Sequence, residues 1–237
     1  MSVSSNTLRV ATWNVHSFVG HDGKKDARRG LEVLHELDAD IIALQEIECA
    51  GSAAMAALQA LSSSLTSTST ELVLGPAGPA RAGFGNCVIS RCKIQHFEIH
   101  DLSVPRREAR NAVEVIVAAG GKRWRVLATH LGLTARERHL QATKLSAVVD
   151  DRVQGADFTL VMGDLNVLDR REASVAPLLG RFVAAQRLRS FPAFLPMLRL
   201  DRILVDSALV EVATVVHNTR VARAASDHLP VVATLRF

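Results

Sequence analysis

The chain has 237 residues, 48% of them hydrophobic and 22% charged, which is the composition of a globular protein and excludes a disordered or fibrous chain. Its formal net charge of +4 suits an anionic substrate without requiring a nucleic acid, and only 4% of the residues are aromatic, too few for a base-stacking surface. The three cysteines have no metal-binding spacing and no apolar run is long enough to span a bilayer, which excludes disulfide scaffolds, zinc modules and transmembrane helices.

Short apolar segments bounded by Gly, Pro, Asp or Asn recur along the chain and predict β-strands, and three longer segments have helical spacing. The last of these helices is expected to begin after Thr134, with Glu137 at the capping-box position. In chain order the predicted elements are the strand Leu8–Val15, the helix Asp26–Leu37, the strand Ile41–Gln45, the helix Ser52–Leu65, the strands Glu71–Leu74, Cys87–Ser90, Ile94–Ile99, Ala112–Ala118 and Arg123–Thr129, the helix Ala135–Val153, and the strands Thr159–Met162, Leu198–Val205, Leu209–Val216 and Pro230–Phe237.

Several of these strands, such as VEVIVAA (113–119) and RILV (202–205), are apolar at nearly every position, so both of their faces must be covered. Two sheets packed face to face, with helices on the outer faces, meet that requirement. We expect one domain over residues 1–237. The start of the chain lacks the features of a secretory signal, so we also expect a cytoplasmic protein, and we expect it to be a monomer.

Polar side chains are found where five of the predicted strands begin or end. If those strand ends converge, they form a pocket rich in hard oxygen donors, which is what Mg²⁺ or Mn²⁺ prefers. Taken singly, an Asn or Glu after a strand is also typical of a turn former or a solvated end. The residues concerned are Asn14, Glu46, His130, Asp164 with Asn166, and Asp227 with His228.

The tetrad GDLN (163–166) is the most specific of these signals. In an extended chain Asp164 and Asn166 project to the same side, so the carboxylate and the amide would face one small volume. The alternative is an Asx turn that closes the strand.

Asp227 and His228 are adjacent, so they can serve one site only from a loop, and a loop is also the expected conformation of the RAAS segment before them. His228 needs a partner to fix its tautomer, and Asp201 is a carboxylate in a largely apolar strand that needs a partner as well. The alternative is that Asp201 pairs with Arg199 or Arg202.

Short segments, most of which contain these polar residues, follow one another along the chain. They are TWNVH (12–16), LQEIE (44–48), GNCVIS (85–90), ATHLG (128–132), GDLN (163–166), RLDRILV (199–205) and SDHLPV (226–231). In these segments the chain resembles the endonuclease/exonuclease/phosphatase superfamily, which has a deoxyribonuclease-like fold. The resemblance implies the α+β class and a four-layer αββα sandwich of two mostly antiparallel sheets, in agreement with the strand pattern. It also implies divalent-metal-dependent hydrolysis of a phosphoester.

Carried over position by position, the resemblance places the main metal ligand at Glu46, with Asn14 and Asp227 close to the metal. Asp164 and Asn166 match the pair that orients or deprotonates the attacking water and holds the phosphoryl oxygens.

His228, paired with Asp201, matches the histidine on the scissile phosphate, and His130 matches a second histidine, proposed as a leaving-group acid in the nuclease branch. Both histidines are expected to transfer protons near neutral pH.

Within the superfamily the chain looks most like a small branch of uncharacterised bacterial proteins, some suspected of acting on phospholipid phosphodiesters. There Arg110 would reach the substrate phosphate, although a solvated surface arginine is the alternative. His16 and Asn86 are further candidates for the pocket rim. The chain has no tyrosine, so the active-site tyrosine of abasic-site endonucleases is missing and a role in DNA repair is disfavoured.

The sequence thus predicts a phosphodiesterase that uses Mg²⁺ or Mn²⁺ and acts on a small or lipid-derived phosphodiester. A nuclease acting on DNA or RNA is the alternative enzyme, and a catalytically silent binding scaffold is the alternative of another class. Specificity is expected in three loops. They are Gly75–Gly85, Leu102–Arg110 and Leu168–Pro196; the last contains Phe182, Phe191, Phe194 and Leu195, which would form either an apolar lip for a lipid tail or a packed loop.

Overall fold

A computed structural model describes residues 6–49, 70–77, 83–151, 155–168, 172–183, 187–207 and 210–237. The strands are β1 (Thr7–Asn14), β2 (Ile41–Glu48), β3 (Glu71–Pro76), β4 (Phe84–Ser90), β5 (Ile94–Asp101), β6 (Asn111–Ala119), β7 (Lys122–His130), β8 (Phe158–Asp164), β9 (Asp201–Val205), β10 (Glu211–Val216) and β11 (Val231–Arg236). The α-helices are α1 (Ala27–Leu37), α2 (Ala135–Asp150), α3 (Ala176–Leu179) and α4 (Arg220–Ala225), and two 3-10 helices cover His16–Phe18 and Ala173–Val175.

The strands form two mixed sheets. The first has the order β10-β11-β1-β2-β4-β3 and the second the order β5-β6-β7-β8-β9. Each sheet contains one parallel pair, β1 with β2 and β7 with β8, and every other pairing is antiparallel. Each parallel pair is joined by a segment that contains a helix, α1 in the first sheet and α2 in the second, as a parallel connection requires.

The two sheets pack face to face and the helices cover their outer faces. The alternation of side chains along β1 shows this, since Leu8 and Val10 point between the sheets while Ala11 and Trp13 pack in the cluster that contains α1 and α4. Residues of α2 and α3 cover the outer face of the second sheet. The predicted four-layer α+β sandwich is confirmed.

Most of the predicted elements are confirmed with small changes at their ends. Helix α1 begins after Asp26, whose side chain accepts from the Arg28 amide, and α2 begins after Thr134, whose side chain accepts from the Glu137 amide, as predicted. The predicted helix Ser52–Leu65 lies outside the described residues, as does Leu209 at the start of one predicted strand.

Three details of the predicted elements are wrong. The strand predicted from Leu198 begins only at Asp201, and α3 lies inside a segment predicted to be a loop. The first three residues of the RAAS segment before Asp227 form the second half of α4 and are not a loop, and Ser226 follows the helix. Helices of four and six residues are too short to show an apolar stripe, although Thr219, whose side chain caps α4, was a usable signal.

Both parallel pairs end at one rim of the sandwich. Asn14 is the last residue of β1 and Asp164 the last of β8, and the Asn14 Nδ2 lies 3.1 Å from the Asp164 Oδ2. The antiparallel neighbours β9 and β11 begin at the same rim, because Asp201 pairs with Asp164 and Val231 with Thr12. No helix in the described part of the chain is both long and apolar enough to cross a membrane.

Candidate active site

A row of three acidic and basic side chains crosses the second sheet at this rim. In the register of the sheet His130 pairs with Asp164, and Asp164 pairs with Asp201. Gly163 permits the close approach of β7 and β8, since a Cβ at this position would lie 1.8 Å from the Thr129 carbonyl oxygen. The glycine of the GDLN motif therefore allows the close approach that sets the position of Asp164 beside His130.

Glu46 reaches the rim from a β-bulge. The register between β2 and β4 shifts between Leu44 and Ile47, and Glu46 has a φ of 56°, in the left-handed region. A bulge of this kind redirects a side chain. The sequence predicted that the strand ends before Glu46, which is wrong: β2 continues to Glu48 and carries Glu46 as an irregularity within it.

The carboxylate of Asp164 lies at the centre of the site and is buried. Its Oδ2 is 3.1 Å from the Asn14 Nδ2 and 3.6 Å from the Nε2 atoms of both His130 and His228. The same Asn14 Nδ2 donates to the Glu46 Oε1 at 2.9 Å. One amide group therefore holds two carboxylates close together.

Asn166 reaches the site by a route different from the predicted one. The φ of Asn166 is 52°, and its backbone amide donates to the Asp164 Oδ1 at 2.9 Å. The segment therefore forms the Asx turn, which was the alternative prediction. The extended geometry is wrong, yet Asn166 still faces the site. Its Nδ2 lies 3.0 Å from the His130 Nε2 and 2.9 Å from the Leu131 carbonyl oxygen.

The predicted pair of His228 and Asp201 is confirmed, with 3.0 Å between Nδ1 and Oδ2. Burial alone lowers the pKa of His228, but the charge and hydrogen bond of Asp201, followed by the charges of Asp164 and Asp227, raise it to about 10. His228 is therefore an imidazolium that directs Nε2 towards Asp164.

The alternative pairing of Asp201 with arginine is wrong. The guanidinium of Arg202 binds Glu172 at 2.8 Å, and the hydrogen bonds that it makes to Arg199 and Asp201 go to their carbonyl oxygens. Ser190 donates its hydroxyl to the Asp201 Oδ2.

His130 is in the opposite protonation state. Burial lowers the pKa of His130 to about 3; the charge of Asp164 opposes this, and the charges of Arg110 and His228 add to it. The two pKa values are shifted in opposite directions from the ordinary value, and proton transfer by both histidines near neutral pH stays a prediction.

Both ring nitrogens of His130 face groups that can only donate hydrogen bonds. The Arg110 Nη1 lies 3.0 Å from Nδ1, and the Asn166 Nδ2 lies 3.0 Å from Nε2. Donors at both nitrogens oppose a second proton on the ring, which agrees with its low pKa; Nε2 also faces Asp164 at 3.6 Å and Glu46 at 4.0 Å.

Asp227 and His16 lie at the open side of the site, beside the end of β1. The Asp227 Oδ1 is 3.5 Å from the His16 Nδ1, and the hydroxyl of Ser226 donates to the Asn14 carbonyl oxygen at 2.8 Å. The His16 amide donates to the Asn14 Oδ1 at 3.0 Å. Asn14 thus turns its amide nitrogen to the carboxylates and uses its oxygen to bind backbone.

Arg110 and Asn86 line a small cleft next to Glu46 and His130. Arg110 is 8% exposed, so the alternative of a solvated surface arginine is wrong, and Asn86 is 3% exposed, so it forms the wall of the cleft and not its rim. Asn86 donates its Nδ2 to the Asn111 Oδ1 at 2.7 Å. Asn111, which the sequence reasoning did not single out, therefore orients Asn86.

Unpaired polar atoms mark the same region. Among the described residues, three buried side-chain polar atoms have no hydrogen-bond partner: the Asn86 Oδ1, the Arg110 Nε and the Asp201 Oδ1. All three belong to residues predicted for the site. Buried polar groups are normally paired, so this concentration indicates a place where a ligand or water completes the bonding.

The donor set fits a hard divalent cation. Glu46, Asp164 and Asp227 offer carboxylate oxygens at one rim, and Asp164, Asp201 and His228 have ligand atoms within 4.8 Å of one another. In this second group the Asp201 Oδ2 already accepts from Ser190 and His228, so the unpaired Oδ1 is the oxygen of Asp201 that remains for a cation. Glu46 is more accessible, because 26% of its side chain is exposed.

The sequence did not assign Ser190 or Phe191 to the site. Ser190 lies in a segment predicted only to be a loop, and Phe191, predicted only for an apolar lip or a packed loop, packs its ring on the His228 ring with 4.6 Å between centroids. Both follow from tertiary contacts between segments distant along the chain.

Comparison with known proteins identifies relatives over most of the chain. The model of the Endonuclease/Exonuclease/phosphatase family matches residues 11–228. YbhP, an uncharacterised protein of Escherichia coli (strain K12), is 35% identical over 163 residues, which cover 65% of this chain and 63% of YbhP. The chain thus matches just under two thirds of the length of that relative.

Solved structures share the fold at lower identity. A TDP2 of D. rerio, humanized by 14 mutations, aligns with a TM-score of 0.75 and 22% identity over 98% of this chain and 100% of that chain. The mannosyl-6-phosphatase Bt3783 of Bacteroides thetaiotaomicron VPI-5482 aligns with a TM-score of 0.76 and 18% identity over 97% and 100%. At these identities the likeness shows the fold alone.

Proposed function

The chain belongs to the Endonuclease/Exonuclease/phosphatase family, whose members hydrolyse phosphoester bonds, and from this premise we propose that it is a divalent-metal-dependent phosphodiesterase. The observation that carries the proposal is the position of Asp164 between a neutral and a cationic histidine, 3.6 Å from each Nε2. A carboxylate placed in this way can take a proton at one side while positive charge is available at the other.

Asp164 and Asn166 act on the attacking water in this proposal. Asp164 Oδ2 accepts the proton, and Asn166 fixes the approach of the water because its backbone amide locks the Asp164 carboxylate. A divalent cation bound at Glu46, Mg²⁺ or Mn²⁺, would supply positive charge for the phosphoryl oxygens and lower the pKa of water. Asn14 holds Glu46 in place, and Asp227 adds negative charge at the open side.

His228 and His130 have different tasks. His228 donates Nε2–H to a phosphoryl oxygen as a permanent cation, and Asp201 and Ser190 hold its ring. His130 is a neutral ring, held by Arg110 at Nδ1 and by Asn166 at Nε2, and it forms a polar wall of the site beside Asp164. The unpaired Arg110 Nε and Asn86 Oδ1 line the adjacent cleft, and they can bind an anionic oxygen and a hydroxyl of the substrate respectively.

The charge of the site favours a diester over a monoester. Glu46, Asp164 and Asp227 face it with carboxylates, whereas Arg110 and the imidazolium of His228 supply the cationic side chains described above. A phosphodiester carries one negative charge, and a monoester close to two at neutral pH. The monoanion therefore meets less repulsion.

The experiment uses the purified full chain with bis(p-nitrophenyl) phosphate and p-nitrophenyl phosphate, each with Mg²⁺, with Mn²⁺ and with a chelator. We expect hydrolysis of the diester that needs a cation and exceeds hydrolysis of the monoester. Turnover unaffected by the chelator would contradict the metal dependence, and preference for the monoester would make the protein a phosphatase. Short DNA and RNA at two salt concentrations test the nuclease alternative, whose binding must weaken steeply with salt.

The matched variants are Glu46→Gln and Glu48→Gln. Both residues lie on β2, but Glu48 forms an ion pair with Lys25 away from the site. Calorimetric titration with Mg²⁺ should show binding to the wild type and to Glu48→Gln, and none to Glu46→Gln. Equal binding by all three proteins would remove Glu46 as the ligand. Cation binding without hydrolysis of any phosphoester would favour the silent scaffold.

A further inference from the structure

An apolar loop, residues Phe191–Leu198, projects beside the site. The side chains of Phe194, Leu195 and Met197 are 61%, 56% and 57% exposed, so three large apolar groups close together in sequence face solvent. Of the two alternatives for this segment, the packed loop is wrong for Phe194 and Leu195. Exposed apolar groups clustered in this way, in contrast to scattered ones, indicate a binding surface.

The base of the apolar loop is fixed to the catalytic side chains. Phe191 packs on the His228 ring, the Ala193 amide donates to the Asp227 carbonyl oxygen at 2.7 Å, and the Ser190 amide donates to the Leu198 carbonyl oxygen at 2.9 Å. The exposed tip therefore has a defined position relative to the site, and whatever binds the tip is brought to the rim where the site opens.

Other exposed apolar side chains lie close to the site along the chain. Phe84, Leu133 and Leu168 are 43%, 68% and 60% exposed. Each lies two or three residues from a side chain of the site, at the end of a strand or just beyond it. The polar site is thus accompanied by apolar groups on several elements.

Exposed arginines flank the apolar loop. Between Ala173 and Leu200 the sequence contains four arginines and no aspartate or glutamate, and two of the four, Arg181 and Arg187, form ion pairs with Asp150 and Glu172. Arg189 and Arg199 flank the loop and are exposed, and the Arg223 Nη1 donates to the Phe194 carbonyl oxygen at 3.2 Å. Apolar groups that insert below a layer of anionic headgroups, with arginines beside them, are the pattern of interfacial binding to membranes.

We propose that the apolar loop is a docking surface for a bilayer that contains anionic phospholipid, and that it presents the site to phosphodiesters of the lipid headgroups. The docking part stands on the exposed side chains and the arginines alone, whereas the statement about headgroup phosphodiesters rests on the proposed function. The exposed Phe, Leu and Met enter the interface, and the arginines bind the lipid phosphates.

The experiment is flotation of the full chain with vesicles of phosphatidylcholine alone and of phosphatidylcholine mixed with phosphatidylglycerol. We expect the wild type to float with the mixed vesicles and to remain below with phosphatidylcholine. A variant with Phe194→Glu, Leu195→Glu and Met197→Glu should lose at least ~10-fold in partition coefficient, since buried apolar area and charge set this binding. Arg189→Gln with Arg199→Gln should lose binding to the mixed vesicles to a smaller extent.

The matched controls are Phe97→Glu, an exposed aromatic on the edge strand β5, and Arg236→Gln, an exposed arginine at the end of β11. Both should float like the wild type. Docking at this surface is overturned if the wild type fails to float, or if the triple variant floats as well as the wild type. It is also overturned if the triple change only abolishes a concentration-dependent dimer in sedimentation, because the surface would then bind a second copy.

Hydrolysis of bis(p-nitrophenyl) phosphate separates this proposal from the proposed function. The triple variant should hydrolyse this soluble diester at the wild-type rate, because its three residues lie outside the catalytic machinery, and should lose hydrolysis of vesicle phospholipid at least ~10-fold. Flotation without hydrolysis of any phosphodiester would sustain the docking surface and refute the function. Hydrolysis of the soluble diester without flotation would sustain the function and refute the docking surface.

Discussion

Two buried polar clusters of the molecule are bonded in different ways. On the outer face, Glu114 of β6 binds Arg125 of β7 through two hydrogen bonds of 2.9 and 2.8 Å, and His100 of β5 lies 2.8 Å from the same carboxylate. Arg125 also donates to the carbonyl oxygens of Val148, Val149 and Asp151 at the end of α2. At the rim, the cluster of Asp164, His130 and His228 has a comparable set of charges.

The difference lies in what remains unpaired. In the outer cluster neither Glu114 nor Arg125 has a buried polar atom without a partner, whereas Asn86, Arg110 and Asp201 at the rim each have one. The charged groups of the outer cluster bond to one another. The guanidinium of Arg125 also caps a helix, because it neutralises carbonyl oxygens at the negative end of α2. A charged cluster that is fully paired stabilises the fold, and one with unused donors and acceptors is built to bind a ligand.

Removal of Glu114 is expected to have the largest effect on stability. Glu114→Ala leaves the Arg125 cation buried without its counter-charge, which should lower the free energy of unfolding by about 3–5 kcal/mol. The exposed pair of Glu211 and Arg236 is the matched control, and Glu211→Ala should change it by less than about 1 kcal/mol. Urea denaturation measures both. A loss of turnover per folded molecule in Glu114→Ala would show that the outer cluster also serves the site.

Asp164→Asn should act on turnover and leave the fold intact. It removes the proton acceptor and should lower hydrolysis of a soluble phosphodiester at least ~10²-fold, about 2.7 kcal/mol in the activation barrier. The melting temperature should stay equal or rise, because one charge of a crowded group is lost. Asp157→Asn, at an exposed site on the other rim of β8, is the control. Unchanged turnover in Asp164→Asn would remove this residue from the mechanism.

The pH dependence of stability distinguishes the two clusters in sign. The pKa of His228 is raised from its ordinary value to about 10 in the folded chain, so its stabilisation is fully present below the ordinary pKa of about 6.5 and is lost as the pH rises towards 10. With a chelator present, raising the pH from about 7 to about 9 should lower the stability of the wild type by roughly 2–3 kcal/mol more than that of His228→Gln.

For Glu114 the sign is opposite. Burial raises the pKa of this carboxyl, but the hydrogen bonds of His100 and Arg125 and the charges of Arg125 and His100 outweigh burial and lower the pKa overall. Its stabilisation is present above the ordinary pKa and is lost as the pH falls through the folded value. Thermal unfolding between about pH 3 and about pH 10, a range that spans the carboxyl and histidine pKa values, measures both pH dependences. Parallel curves for the wild type and the variants would contradict the assignment.

Arg110→Gln is expected to have the smallest effect. It removes the donor at the His130 Nδ1 and one cationic group of the cleft, and should lower kcat/KM by about 10-fold. Nitrogen chemical shifts of the His130 ring should show a neutral ring in the wild type and a higher ring pKa in the variant, because the charge of Arg110 lowers that pKa. Arg107→Gln, at an exposed position of the same loop, should change neither. An unchanged pKa of the ring in Arg110→Gln would refute the role of Arg110.

Much of the fold and of the site was predictable from the sequence, because local signals suffice for these features. Apolar strands bounded by turn residues gave the positions of the strands, and Asp26 and Thr134 gave the starts of two helices. The polar residues at strand ends gave the candidates for the site, since strands of a sandwich end at its rims. Short helices such as α4 escaped prediction because six residues carry no periodic pattern.

What the sequence determined by itself was the layering of the chain and the types of residue at the rim. Tertiary structure alone decided how those residues act. It supplies the bulge that turns Glu46 inwards, the left-handed turn of Asn166, and the burial of His130 and the partner Asp201 of His228, which shift the pKa values of the two histidines in opposite directions. The reason is physical, because a pKa or a tautomer depends on burial and on charges within a few ångströms, and those neighbours come from segments far apart in the chain.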